Sequence, residues 1–166
     1  MKRLLQLLRG FPGHPSHPPF TDATVGAFTV GTALTVLGWF GVSEADMVRG
    51  GFLALVAGLV FAAGTILTGF LDYVRIRGAT PLKRTATIHW ISTVSATLIF
   101  LLAAILLRRG YDVDEVSLGA MLVAVLGWVA LLFGGWVGGS IVFVYGMRVI
   151  MEPSTPTGEA LKPKLR

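Results

Sequence analysis

Long apolar runs, separated by short polar segments, dominate the hydrophobic pattern of this chain. Four of them predict membrane-spanning helices, at residues 20–42, 51–73, 85–107 and 117–145. Each of the first three runs has 23 residues, which as an α-helix is about 34 Å long against a hydrocarbon core of about 30 Å. The fourth has 29 residues, so as a helix it must tilt, kink or project from the bilayer.

The segments that flank this region are short. Within residues 1–12, residues 2–9 place leucines on one helical face and basic side chains largely elsewhere, which predicts an interfacial amphipathic segment at the lipid headgroups. A disordered basic tail is the alternative, because so short a helix is marginal in water. Residues 151–166 are rich in proline and polar residues and predict a disordered tail. The transmembrane domain is therefore predicted at residues 13–150.

Composition places the chain among integral membrane proteins. Hydrophobic residues make up 54% and charged residues 14%, and the mean hydropathy is +0.73, all far from the values of a soluble domain. The formal charge of +5 does not indicate nucleic-acid binding, because the cations fall between apolar runs and do not form one basic face. The chain has no cysteine, which excludes disulfides and thiolate-ligated metal centres.

The positive charges predict the orientation of the bundle. Eleven lysines and arginines fall on one side of the predicted membrane and three on the other. Because cationic loops stay in the cytoplasm, both termini and the loop at residues 74–84 are predicted to be cytoplasmic, in a bacterial cytoplasmic membrane. Short loops between successive spans predict an all-α, up-down-up-down four-helix bundle.

This topology collects the unusual polar residues at the cytoplasmic end. We expect His14, His17, Asp72 and His89 to lie close together there, with Tyr145 bordering them. Proline follows each of the first two histidines and disfavours the helical region for the preceding residue, so His89 is predicted to be the helical histidine. No ionisable residue falls near the middle of a span, which argues against a transporter.

Several interpretations of this cluster stay open. Its imidazoles and carboxylate could bind a divalent metal, and its histidines could be the axial ligands of a b-type haem. In a purely structural interpretation, Asp72 accepts hydrogen bonds from an imidazole or Arg75, and His89 satisfies free backbone groups. No nucleophile stands in a recognisable catalytic pattern, so an enzyme is not the favoured class.

Small residues in the last span predict a close helix contact. Gly134 pairs with Gly138, and Gly135 with Gly139, at a spacing of four, which lets helix backbones approach each other in lipid. The contact could lie within the bundle or between two copies of the chain.

Several motifs together resemble an uncharacterised family of bacterial membrane proteins with four spans, a domain of unknown function that is sometimes joined to Rieske domains. The family opens with Gly-His-Pro-x-x-His-Pro and has further motifs in its second, third and fourth spans. The matching segments here are Gly13-His14-Pro15-Ser16-His17-Pro18, Gly69-Phe70-Leu71-Asp72-Tyr73, Ala86-Thr87-Ile88-His89 and Gly135-Trp136-Val137-Gly138-Gly139.

The resemblance implies the four-span architecture and, through the Rieske association, a membrane or redox protein as partner. Two positions depart from the family pattern. Tyr145 stands where many relatives have a histidine, and an acidic residue late in the first span is replaced near Thr35. We therefore expect an accessory or redox-associated membrane subunit that binds haem or a divalent metal, or else a cofactor-free scaffold that works through helix contacts.

Overall fold

The computed structural model describes residues 2–163, and the side chains of residues 6–163. Four of its helices, α2 to α5, are long and apolar enough to cross a membrane. This confirms the predicted all-α membrane bundle. The elements in chain order are α1 (Lys2–Arg9), β1 (Gly10–Phe11), β2 (His14–Pro15), α2 (His17–Trp39), α3 (Glu44–Tyr73), α4 (Pro81–Gly110), α5 (Leu118–Phe143) and α6 (Thr157–Ala160).

Two of the long helices extend well beyond their apolar runs. Both α3 and α4 have 30 residues, because polar residues at their starts favour the first helical turn. In α3 these are Glu44 and Asp46, whose negative charges complement the helix dipole. In α4 the side chain of Thr80 accepts a hydrogen bond from the backbone N–H of Lys83, which caps the helix. By contrast, α5 ends at Phe143, two residues before the predicted boundary.

The four long helices pack in the cyclic order α2, α3, α4, α5. The most extensive contacts are within the hairpins α2–α3 and α4–α5, and smaller ones join α3 to α4 and α2 to α5. Helices α2 and α4 therefore lie diagonally across the bundle. We use "histidine end" for the end at which α2 and α4 begin and α3 and α5 end.

Two stacked phenylalanines fill the centre of the bundle. The rings of Phe28 and Phe100 are 4.0 Å apart and inclined by 13°, and both side chains are fully buried. Each ring packs against a helical glycine: a Cβ at Gly58 would lie 2.5 Å from Phe28, and one at Gly127 would lie 3.1 Å from Phe100. The absence of side chains at these glycines lets the two aromatic rings meet on the bundle axis.

The segment before α2 folds back under the histidine end. β1 pairs with β2 in an antiparallel register, and Gly10 and Gly13 take positive φ angles there, which glycine adopts without strain. Arg148 Nη2, just beyond α5, donates to the backbone oxygens of Arg9 at 2.7 Å and Gly10 at 3.2 Å. These bonds tie the C-terminal end of α1 to the bundle.

Helix α1 itself agrees with the helical prediction for residues 1–12, but the side chains of Leu4 and Leu5 lie outside the described residues. Its position at the lipid headgroups stays a prediction, as do the domain boundaries and the disordered tail. Within residues 151–166 the structure has the short helix α6 (Thr157–Ala160).

Candidate functional site

A cavity of about 370 Å³ opens at the histidine end, among α2, α3, α4 and α5. Most of the side chains and backbone that line it are apolar. Pro15 and the residues just beyond α5, Met147 to Val149, form its outer part. Its volume falls in the range of small-molecule and cofactor sites.

His17 is the first residue of α2, so the prediction that this histidine lies outside a helix was wrong. The two prolines that follow it occupy the first helical turn, where the backbone N–H that proline lacks has no helical partner to bond. His17 therefore starts a helix although it precedes a proline. His17 in α2 and His89 in α4 are therefore both helical.

The ring of His17 is held by α3. Its Nδ1 lies 3.1 Å from the backbone oxygen of Thr65 and 3.2 Å from Thr68 Oγ1. Since a carbonyl oxygen only accepts, Nδ1 carries the proton and Nε2 keeps a lone pair. Thr21 Oγ1 is 3.5 Å from Nε2 but donates to the backbone oxygen of His17 at 3.0 Å. The lone pair of Nε2 is therefore left for a ligand.

The ring of His89 is held by α5 in the same way. Its Nδ1 donates to the backbone oxygen of Gly134 at 2.8 Å. The ring packs on Gly138, where a Cβ would lie 2.8 Å from His89 Cε1. Among the described residues, Nε2 of His89 has no hydrogen-bond partner. This agrees with the structural expectation that His89 satisfies a backbone group, and it also leaves a second Nε2 lone pair available.

Asp72 is buried at 7% exposure and pairs with two arginines. Arg9 Nε donates to Oδ1 at 2.8 Å, and Arg148 Nε lies 3.8 Å from Oδ2. The expected partners, an imidazole or Arg75, are not the ones found, because the folded-back N-terminal segment places Arg9 beside the carboxylate. Asp72 thus lines the cavity as a neutralised group.

The remaining two predicted site residues lie away from the cavity lining. His14 is exposed and lies in β2, so the structure does not place it with the other two histidines. Tyr145 follows the end of α5, is 40% exposed, and its hydroxyl lies 3.3 Å from Thr85 Oγ1. The cavity therefore brings together His17, Asp72 and His89 from the predicted set.

Two cavity residues were missed as possible ligand contacts. In the described part of the chain, the buried side-chain nitrogens without a hydrogen-bond partner are Trp90 Nε1 and Arg148 Nε. Both residues line the cavity. Trp90 could have been noticed, since an indole next to a histidine near the membrane surface is a typical donor to a polar ligand.

The arrangement of motifs is that of a known sequence family. A family model described as "Predicted membrane protein (DUF2231)" matches residues 13–151. The chain belongs to this family. No curated protein and no solved structure matches it.

The glycines of the DUF2231 helix α5 divide between two faces. A Cβ at Gly134 would lie 2.9 Å from Thr93 Cγ2, and one at Gly138 would meet the ring of His89, so these two face α4 within the chain. Gly135 has nothing within 4 Å of its Cβ position, and Gly139 has only Phe143 of its own helix. Gly135 and Gly139 also line the cavity, so the open space at their Cβ positions faces the cavity and does not indicate a contact with another chain.

The site offers few donors to a bare metal ion. Residues 2–163 contain no group of three or more His, Cys, Asp or Glu side chains placed to hold one. What the cavity does offer is two imidazole nitrogens with free lone pairs, the Trp90 Nε1–H donor without a hydrogen-bond partner, and an apolar wall. These features suit a large apolar ligand with a centre that accepts nitrogen ligands.

Proposed function

We propose that this protein is a small membrane subunit that holds a redox-active metal cofactor, haem b or a divalent metal, in the cavity at its histidine end. The observation that carries the proposal is the matched state of His17 and His89. Each donates its Nδ1–H to a backbone oxygen of a neighbouring helix and keeps Nε2 for the cavity.

This state is the one that metal-bound histidines adopt. A ligating imidazole almost always donates the N–H of its second nitrogen to a carbonyl or carboxylate. This hydrogen bond fixes the ring plane and the tautomer and raises the basicity of the ligand. Both rings have that hydrogen bond in this structure. Such preorganisation lowers the ordering cost of binding.

The proposed setting is the bacterial cytoplasmic membrane, with both termini and the histidine end in the cytoplasm. The uneven distribution of lysine and arginine among the loops supports this orientation. The partners proposed are the lipid bilayer and a membrane or redox protein that exchanges electrons with the bound cofactor. His14 and Tyr145 lie outside the proposed binding site.

The test is to purify the full chain in a mild detergent and record its visible spectrum and its metal content. The measurement is repeated after the protein has been incubated with haemin and, separately, with zinc. We expect a stoichiometric cofactor in at least one condition, reduced at least tenfold in occupancy by His17→Ala or His89→Ala. The matched control is His14→Ala, which changes an exposed histidine outside the cavity. A protein that binds neither haemin nor zinc contradicts the proposal.

A cofactor-free scaffold is the second candidate function. It is favoured by the pairing at the histidine end, where Asp72 is already neutralised by Arg9 and Arg148. In that case His89→Leu only leaves the Gly134 carbonyl without its partner, which costs about 1–3 kcal/mol. The variant would then be less stable to heat, with no change in any spectrum or metal content.

A further inference from the structure

The sequence contains an internal repeat that spans the two helical hairpins. The residues His17, Thr21 and Phe28 of α2 recur in α4, each 72 positions later, as His89, Thr93 and Phe100. In the second helix of each hairpin the offset is 69. The glycines that recur there are Gly50, Gly58 and Gly69 in α3, as Gly119, Gly127 and Gly138 in α5.

Equivalent residues of the repeat make the same hydrogen bonds. Thr21 donates to the backbone oxygen of His17 at 3.0 Å, and Thr93 donates to that of His89 at 2.9 Å. The carbonyls that accept from the two rings, those of residues 65 and 134, are also 69 positions apart. The two copies of the repeat therefore share these hydrogen bonds as well as the residue types.

Equivalent residues also make the same packing contacts. A Cβ at Gly69 would lie 2.8 Å from His17 Cε1, and a Cβ at Gly138 would lie 2.8 Å from His89 Cε1. Phe28 and Phe100 stack on each other from the diagonal helices α2 and α4. A pseudo-twofold axis along the bundle must therefore pass between these two rings.

The cavity lies on this axis and is lined by repeat-related positions. Three of the matched lining pairs keep the same residue, namely His17 with His89, Thr21 with Thr93, and Gly69 with Gly138. A ligand in this cavity is thus approached from two sides by the imidazoles of equivalent histidines.

We infer that α2–α3 and α4–α5 are two copies of one helical hairpin, and that His17 and His89, as their equivalent residues, ligate opposite faces of a single haem. Two imidazoles related by a twofold axis match the two axial positions of haem iron. A structural divalent ion such as zinc requires four protein donors, which the described residues do not gather. The inference rests on the proposed function and selects the haem within it.

The positions at which the two copies of the repeat differ suit the propionates and the ring of a haem. Trp90 stands where the first copy has Pro18, and Asp72, with its two arginines, stands where the second copy has Ile141. Trp90 Nε1 has no hydrogen-bond partner, and Arg148 Nε has only the ion pair with Asp72 Oδ2 at 3.8 Å. Both nitrogens are N–H donors in a mostly apolar cavity. They suit the propionate carboxylates of haem, whereas the apolar wall suits its ring.

The experiment is a haemin titration of the purified full chain. We expect the wild type to bind one haem with a six-coordinate, low-spin spectrum. His17→Ala and His89→Ala should each give the same five-coordinate, high-spin spectrum, and added imidazole should restore the low-spin form in both. The double variant should bind haemin at least 100-fold more weakly, while His14→Ala should bind as the wild type does.

The outcomes separate this inference from the proposed function. Zinc bound in a histidine-dependent way, with no haem, leaves the proposed function standing and overturns the inference. Loss of the low-spin form in only one of the two single variants also overturns it. If an alanine variant does not fold, electron paramagnetic resonance of the wild-type haem complex decides. Signals of a bis-imidazole haem are expected, and signals of any other axial pair contradict the inference.

Discussion

At the scale of single residues, the positions of the two histidine rings depend on two glycines, which have no side chain to displace the rings. His17 and His89 fit against their neighbouring helices because residues 69 and 138 are glycines, and a Cβ at either position would come within 2.8 Å of the ring. The glycines and the carbonyls together leave each ring one orientation. The chemistry of the cavity is therefore fixed by backbone groups as much as by side chains.

Substitution of Gly138 tests this dependence. Gly138→Ala should destabilise the folded protein by about 1–3 kcal/mol, because the ring of His89 must move from its site. Gly135→Ala is the matched control in the same helix, since its Cβ meets nothing within 4 Å, and it should change stability by less than about 0.5 kcal/mol. Thermal unfolding in detergent measures both. Equal effects of the two substitutions would show that the ring is free to move.

The ion pair at Asp72 gives a second test at this scale. Asp72→Asn keeps the size of the side chain but removes the charge that Arg9 and Arg148 share, and it should cost about 2–3 kcal/mol because hydrogen bonds to charged groups are the strong ones. Asp112→Asn removes a carboxylate from an exposed pair with Arg108, which should cost less than about 1 kcal/mol. Chemical denaturation of both variants checks the difference. A cost at Asp112 as large as that at Asp72 would contradict it.

The sequence predicted His17, Asp72 and His89 at one end of the bundle because helix topology alone determines which ends lie together. It could not predict that Arg9 reaches Asp72. That contact depends on the turn between β1 and β2, which has no signature beyond its glycines. For the same reason the sequence could not predict that His14, which lies in β2, is absent from the cavity lining.

At the scale of elements, α1 is joined to the bundle through its last residues. Arg148 donates to the backbone oxygens of Arg9 and Gly10, and Asp72 binds the side chain of Arg9. Both anchors lie at the C-terminal end of α1.

Removal of one anchor should loosen α1 selectively. In the cofactor-free protein, Arg148→Ala should speed amide hydrogen exchange in α1 by about tenfold, which corresponds to ~1.4 kcal/mol, while the amides of α3 and α4 exchange as before. Arg109→Ala, which changes an exposed arginine at the other end of the bundle, is the control. Hydrogen-exchange mass spectrometry resolves the segments. Uniformly faster exchange in all helices would mean that Arg148 stabilises the whole bundle instead.

The long helices could be predicted from the sequence because their apolar runs exceed any soluble element in length. Their ends could not, since caps such as Thr80 and acidic first turns such as that of Glu44 extend helices into polar sequence. The repeat was visible in principle as His-x3-Thr-x6-Phe in α2 and α4. It was hidden because the two helices of each hairpin recur at different offsets, 72 for α2 and α4 and 69 for α3 and α5.

At the scale of the whole molecule, the orientation in the membrane is a prediction from the loop charges. It can be tested directly, because the chain has no cysteine. Single cysteines at three exposed loop positions, Ser43, Ala79 and Ser154, are labelled in intact cells with an impermeant maleimide. We expect label at Ser43→Cys only, and label at Ala79→Cys and Ser154→Cys only after the cells are permeabilised. The opposite pattern would place the histidine end outside the cell.

The stacked rings of Phe28 and Phe100 fill the centre of the bundle and close the inner end of the cavity. They follow the histidines by 11 residues in each copy of the repeat, about 16 Å along the helix, and lie beyond Val25 and Thr97 of the cavity wall. Water or a small molecule that enters at the histidine end therefore meets a dead end. A ligand of the cavity is therefore expected to enter and to leave at the histidine end of the bundle.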